Sequence, residues 1–403
     1  PCMLRNVEPG AERKETKSMK LDQLRTVAVI GAGDMGHGIA QVALMAGYHV
    51  ALCDVSMEFV QRGMARIFAS LEKLASKGAV SQAQVETIRR EGITPYTQVE
   101  DAVAEAQLVV EAVPEREDIK KSTLERISAG TSPETIIATN SSTMSITMLS
   151  HSVQNPQRMV GMHYFNPAVL MKLVEVICGD ETSEETAAFA KAYAEHVGKT
   201  VVVARRDRPG FIANRIVAPV VVYNGLCVDV DGITPADIDL SMMKNGQKMG
   251  PMELADYTGI DVTSFCQDYY HEHLSPEYGP SNIAKTLMAD GHLGKKTGSG
   301  YYSWPAKGRP TLDEKQYTGR YNPDIPNMLQ ANEACKLLEE GVCSLDECDT
   351  AIELGYNMVG PIRYIQRFTP EEVTRTLEEV AEHFGKEIFR PTNTIRRGAY
   401  QRP

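Results

Sequence analysis

His163 and Glu175 stand close together in the stretch GMHYFNPAVLMKLVEV, Gly161 to Val176, in otherwise apolar company. An imidazole beside a carboxylate can serve as a general base and its orienter. The carboxylate takes one ring N–H and fixes the tautomer, leaving the other ring nitrogen free to accept a proton. A carboxylate on an apolar face is costly unless such a partner bonds it. The plain alternative is a core histidine near a glutamate at a wet strand edge, and the stretch by itself leaves both open. Met159 to Tyr164 reads as a buried strand carrying the histidine. Met171 to Cys178 reads as a second strand, in which Glu175 shares a face with Leu173 and Ile177. Two neighbouring strand ends would let the pair meet.

A second constellation begins at Thr26. TVAVI, GAGDMG, IAQVALMAGYHV and HVALCD read as strand, glycine turn, helix and strand. Gly31, Gly33 and Gly36 form GxGxxG, with Asp34 and Met35 completing the turn. In this context the motif allows a tight turn, close backbone approach to a pyrophosphate, and phosphates at a helix N-terminus. Asp54 closes the second strand 18 residues after Gly36 (54 − 36). There a carboxylate accepts both hydroxyls of an adenine ribose and repels a 2′-phosphate, which selects NAD over NADP.

Glu58 to Lys77 is helical by pattern. At about 100° per residue, Arg62, Arg66, Ser70, Lys73 and Lys77 share one face, and Met64, Ile67, Leu71 and Leu74 the other. A basic stripe is commonly a solvated face, and acquires a role only if an anion needs it. With a short helix at Ser81 to Arg90 it forms a helical hairpin inserted after the second strand. The alternation then resumes through QLVVEAV, a helix from Arg116, and ETIIAT. Glu115, Asn140, Ser141 and Ser142 follow these strands, at the carboxyl edge where ligands bind in such sheets. Ser142 reads equally as a helix cap.

The formal net charge of −11 argues against nucleic acid as the main partner. No apolar run approaches the roughly 18 residues that span a bilayer. Eight scattered cysteines without a CxxC pair suit free thiols in a reducing, cytoplasmic setting, with Cys343 and Cys348 expected on two faces of a helix. No metal site is expected. Residues 1–25 lack the apolar core of a secretion signal and read as a poorly ordered tail.

The ordered set GAGDMGHGIAQ, EAVPE, NSST, GMHYFNP, MKLVEV, DRPGFIANRI, GPMELAD and GKKTGSGYY resembles the L-3-hydroxyacyl-CoA dehydrogenases, including their 3-hydroxybutyryl-CoA forms, over about Thr26 to Trp304. The resemblance implies His163 as the base with Glu175 as its partner, and Ser142 and Asn214 positioning the substrate oxygens. It also implies that Glu115, Lys120 and Lys296 help to hold NAD, and that Ser70 and Lys77 contact the CoA moiety, which gives the basic stripe its anion. Pro114 and Arg116 beside Glu115 depart from the family pattern. A sibling dehydrogenase of free hydroxy or sugar acids, or a dinucleotide-binding protein without turnover, are the alternatives.

Beyond Trp304 the chain repeats itself. NEACKLLEEGVCSLDECDTAIELGYNMVGP from Asn332 matches NGLCVDVDGITPADIDLSMMKNGQKMGP from Asn224, pairing Asp349 with Asp239 and Gly360-Pro361 with Gly250-Pro251. The second copy lacks the GFIANR and KTGSGYY segments, so no catalytic role is expected of it. The resulting fold is an α/β, Rossmann-type doubly wound sheet with an inserted helical hairpin, then an all-α domain and its partial duplicate. The expected divisions are 26–206, 207–304, a linker at 305–326, and 327–403. The duplicate is expected to cover the first helical domain's dimerisation face, giving a pseudo-dimer within one chain, with a homodimer as the alternative.

Overall fold

Eight short apolar runs become the strands of one sheet: β1 (Thr26–Ile30), β2 (His49–Cys53), β3 (Ile93–Tyr96), β4 (Leu108–Glu111), β5 (Ile136–Thr139), β6 (Met159–Tyr164), β7 (Leu173–Ile177) and β8 (Thr200–Ala204). The computed structural model describes residues 19–401. The strand order is β3-β2-β1-β4-β5-β6-β7-β8. All neighbours are parallel except β6 and β7, which run antiparallel. The central strands are buried on both faces, as helix-covered parallel strands must be, which is why they read as unbroken apolar runs. β3 lies outside the sequence reading because ITPY is short and carries Pro95. Proline is tolerated there because β3 is an edge strand.

Helix α1 (Gly36–Met45) follows the glycine turn, and α2 (Met57–Ala75) and α3 (Gln82–Thr87) form the inserted hairpin. Ser56 and Ser81 cap the hairpin helices by accepting the N–H groups of Phe59 and Gln84. α2 buries Val60, Gly63, Ile67 and Leu71 and leaves Arg62, Arg66 and Lys73 exposed, with Lys77 exposed in the turn after it, so the stripe is real although its last member lies beyond the helix. Of the expected tail, residues 1–18 lie outside the described residues. Its last part is ordered: Leu24 is buried against the sheet, so the packed domain starts before Thr26.

The first helical unit comprises Ala213–Asp229, Pro235–Lys244, Pro251–Thr258, Ile260–His273 and Asn282–Ala289. The duplicate comprises Asp324–Glu339, Leu345–Gly355, Pro361–Ile365, Pro370–Phe384 and Asn393–Arg396. Asp324–Glu339 begins inside the stretch expected as linker, since Pro326 is compatible with a first turn, whose N–H groups have no helical partner. The same local device recurs in both copies. Asp239 accepts the N–H of Met252 at 2.8 Å, and Asp349 that of Ile362 at 2.8 Å. Each requires a glycine before the proline, because a Cβ on Gly250 would lie 2.2 Å, and on Gly360 2.6 Å, from the aspartate.

The two copies share a single apolar core. Between them the buried Arg215 guanidinium meets Glu333 and, at 3.1 Å, Glu340, while Lys336 lies 2.8 Å from Glu333. Burial alone would push the Glu333 carboxyl up, but Lys336 and Arg215 hold it below the usual range. The duplicate also grips the sheet: Glu347 accepts the Val203 N–H at 3.2 Å and pairs with Arg205 at 2.7 Å. The expected linker is pinned rather than loose, through Arg309 to Glu253 and through the buried Tyr321 to Asn224. Cys343 and Cys348 do not sit on two faces of a helix. Cys343 precedes the Ser344 cap, and the two sulfurs are 3.3 Å apart.

Candidate active site

The antiparallel register of β6 and β7 makes His163 and Glu175 directly opposed partners. Across such a pair the side chains of one face are adjacent, and Nδ1 of His163 lies 2.6 Å from a Glu175 oxygen. Glu175 is fully buried, and its other oxygen accepts the Ala213 N–H at 2.8 Å, at the start of the Ala213–Asp229 helix. A helix N-terminus and an imidazole N–H together satisfy a carboxylate that burial would otherwise penalise. Nδ1 therefore carries the proton, and Nε2 is free on a ring packed 4.6 Å from Phe165 and 5.9 Å from Phe211.

His163 borders an open cleft of about 1350 Å³ between the sheet domain and the first helical unit. One end is the glycine turn. Gly31 has a φ of 105°, and a Cβ on Gly36 would lie 1.7 Å from the Gly31 carbonyl oxygen, so the turn closes only with glycine at both places. Asp54 borders the same end, its carboxylate accepting the N–H groups of Ala32 and Val55 at 2.7 Å each. Gly33, Asp34 and Met35 line the cleft beside it. An exposed glycine turn at a helix start, with a strand-end carboxylate beside it, fits the phosphates and adenine ribose of NAD.

The middle of the cleft is a clamp built on Glu115. Its carboxylate accepts from Ser141 Oγ at 2.5 Å, Ser142 N at 3.0 Å and Thr143 N at 3.2 Å, and pairs with Lys120 at 3.2 Å. Burial would raise its pKa, but Lys120 and these donors hold it below the ordinary value. Asn140 accepts the Tyr164 N–H at 2.9 Å, tying the β5 end to the strand that carries His163. Asn214 donates to the Ser142 carbonyl at 3.3 Å, so Ser142, Asn214 and His163 converge on one place.

Not every expected residue meets there. Lys120 is 1% exposed and bound to Glu111 at 3.0 Å and to Glu115 at 3.2 Å, behind the Glu115 carboxylate. Lys296 is held by both Asp261 oxygens at 2.5 Å and is not part of the cleft wall. Ser70 and Lys77 lie on α2 and in the turn after it, outside the cleft. Arg66 instead pairs with Asp34 at 2.8 Å, and with His37 and Asn166 to Val169 encloses a smaller cleft of about 330 Å³. The sequence reading also missed Tyr356, which reaches the cleft from the duplicate. Among the described residues no cluster of His, Cys, Asp and Glu could hold a metal, and no helix is long and apolar enough to cross a membrane.

Residues 26–208 match the 3-hydroxyacyl-CoA dehydrogenase NAD binding domain, and residues 210–304 the C-terminal domain of the same enzymes. The chain belongs to the 3-hydroxyacyl-CoA dehydrogenase family. It is 39% identical to a probable 3-hydroxybutyryl-CoA dehydrogenase of Deinococcus radiodurans over 279 residues, 68% of this chain and 99% of that protein. It is 30% identical to the 3-hydroxyadipyl-CoA dehydrogenase of Escherichia coli, over 93% of this chain and 98% of that one. The crystal structure of 3-hydroxybutyryl-CoA dehydrogenase from Escherichia coli K12 superposes with a TM-score of 0.84 at 28% identity, covering 93% of this chain and 98% of that one. This dehydrogenase is an NAD-dependent oxidoreductase acting on a 3-hydroxyacyl-CoA. Its sheet domain is the NAD-binding domain, and NAD supplies the hydride acceptor when bound.

Proposed function

We propose that the protein oxidises an (S)-3-hydroxyacyl-CoA to the 3-ketoacyl-CoA, with the residues of the cleft in defined roles. The observation that carries this is the buried His163–Glu175 pair, whose free Nε2 borders the same cleft as the glycine turn. His163 takes the hydroxyl proton, and Glu175 stabilises the imidazolium that forms. Ser142 and Asn214 hold the substrate oxygens. Gly31, Gly33, Asp34, Met35, Gly36, Asp54 and Asn140 bound the dinucleotide, and Glu115 fixes the turn against which it lies.

Ser70 and Lys77 are assigned to the CoA moiety. Arg62 and Arg66 are already paired with Glu58 and Asp34, whereas Lys73 and Lys77 are exposed, with no ion pair among the described residues. Lys77→Glu should raise the KM for acyl-CoA about tenfold at low salt and less at high salt, with NAD affinity unchanged, because phosphate contacts at a surface are screened. Rates on CoA thioesters from four carbons upward, beside free 3-hydroxybutyrate, test the substrate class. A free acid oxidised as fast as its thioester, and equally impaired by the Lys77 change, would favour the sibling activity on free acids.

We divide the chain functionally at 206, 304 and 323, the last moved from 326 to the start of the Asp324–Glu339 helix, and read the duplicate as standing where a partner subunit would, making a pseudo-dimer. The shared core and the Arg215–Glu333 contact support this. Ending the chain after Pro310 would bare that core. The truncated protein should dimerise or aggregate, since large apolar patches do not stay uncovered. A stable, well-behaved monomer by light scattering contradicts it. The free cysteines among the described residues support a cytoplasmic site of action, which fractionation of the activity would check.

A further inference from the structure

Tyr356, at the C-terminal end of the Leu345–Gly355 helix in the duplicate, places its hydroxyl 2.7 Å from Oδ1 of Asn214. We infer that this tyrosine is a positioning residue for the oxidation: the duplicate completes the active site by fixing the amide of Asn214. The inference rests on the proposed role of Asn214 at the substrate oxygen.

The argument is one of donors and acceptors. A side-chain amide has one acceptor oxygen and two N–H donors. Oδ1 of Asn214 accepts from Tyr356, and one N–H reaches the Ser142 carbonyl at the longer distance of 3.3 Å. The remaining N–H is left for a ligand in the cleft that Asn214, Tyr356, Ser142 and His163 border together. A flipped amide would turn its oxygen toward the Ser142 carbonyl, where two acceptors repel. The shorter bond to Tyr356 is the stronger anchor, so the hydroxyl holds the amide as a donor, the form that suits an oxygen becoming a ketone.

The surroundings hold the tyrosine in turn. Its ring meets Phe165 edge-on at 6.5 Å, and Phe165 packs on His163. The preceding Gly355 lies so close to the sheet domain that a Cβ there would be 2.9 Å from the Phe165 ring. The first copy does not need this side chain for its fold. With a constant offset of 110 residues (349 − 239 and 360 − 250), Tyr356 aligns with Gly246. A homodimer of a truncated chain, presenting only the first copy's loop, would therefore lack the hydroxyl.

Tyr356→Phe keeps the ring and its packing and removes only the donor. We expect kcat on 3-hydroxybutyryl-CoA to fall about tenfold, with KM for the thioester changed less than about threefold and thermal unfolding unmoved. In an Asn214→Ala background the same change should alter kcat by less than about twofold, because the hydroxyl then has no amide to hold. An undiminished kcat in Tyr356→Phe, or the same fold loss in both backgrounds, would overturn the inference. Wild-type protein that oxidised no 3-hydroxyacyl-CoA would overturn the proposed function and this inference with it. That outcome is distinguished by the wild-type rate alone.

Discussion

Replacing His163 with glutamine should lower kcat by roughly two to four orders of magnitude while leaving NADH affinity nearly unchanged. The size follows from the position of the ring. Nδ1 is committed to Glu175 at 2.6 Å, so proton acceptance depends on Nε2 alone, and an amide in its place is no base at neutral pH. The phosphate and ribose part of the cofactor site is spared because the glycine turn and Asp54 follow β1 and β2, three and four strands from the His163 strand β6, and share no hydrogen bond with His163. Stopped-flow measurement of NADH formation, with NADH binding followed by fluorescence, separates the two effects. A variant that retained most of the turnover would remove His163 from the chemistry.

The second large effect is on stability. Glu333→Gln takes the charge from a carboxylate that is 1% exposed and faces a guanidinium 3% exposed. Breaking a buried pair by removing one partner costs about 3–5 kcal/mol, because the other charge stays buried. Glu340, 3.1 Å from Arg215, offsets part of that, so about 3 kcal/mol is expected. By contrast Arg205→Ala breaks a pair whose arginine is 55% exposed, and should cost no more than about 1 kcal/mol. Urea unfolding of both variants checks the ranking, and equal losses would contradict it. The sign with pH is also fixed. Because the Glu333 pKa is lowered on folding, its contribution is present above the unfolded value of about 4.3 and is lost as pH falls through the folded value.

Much of this was legible in the residues. GxGxxG between an apolar run and a helix, and Asp54 at the next strand's end, placed the dinucleotide end of the cleft, because those residues act through local geometry. His163 and Glu175 were legible as a pair because period-two alternation puts each on a strand, although only the register shows that they are directly opposed. What stayed hidden depends on contacts distant in sequence. Lys120 reads as an available cation, but two carboxylates enclose it. Lys296 pairs with Asp261, 35 residues earlier, at a half-exposed position. The duplicate was expected to add nothing to the site, yet Tyr356 reaches Asn214 across 142 residues. The one available signal was the repeat alignment, in which Tyr356 falls opposite Gly246.

The central claim is that His163 and Glu175 act as one unit on the substrate proton. It is tested most directly by kcat for His163→Gln, Glu175→Gln and the double variant on (S)-3-hydroxybutyryl-CoA. Since Glu175 acts through the imidazole, the double variant should be no more than about threefold slower than His163→Gln alone. Losses that multiply in the double variant would show two independent contributions and contradict the account.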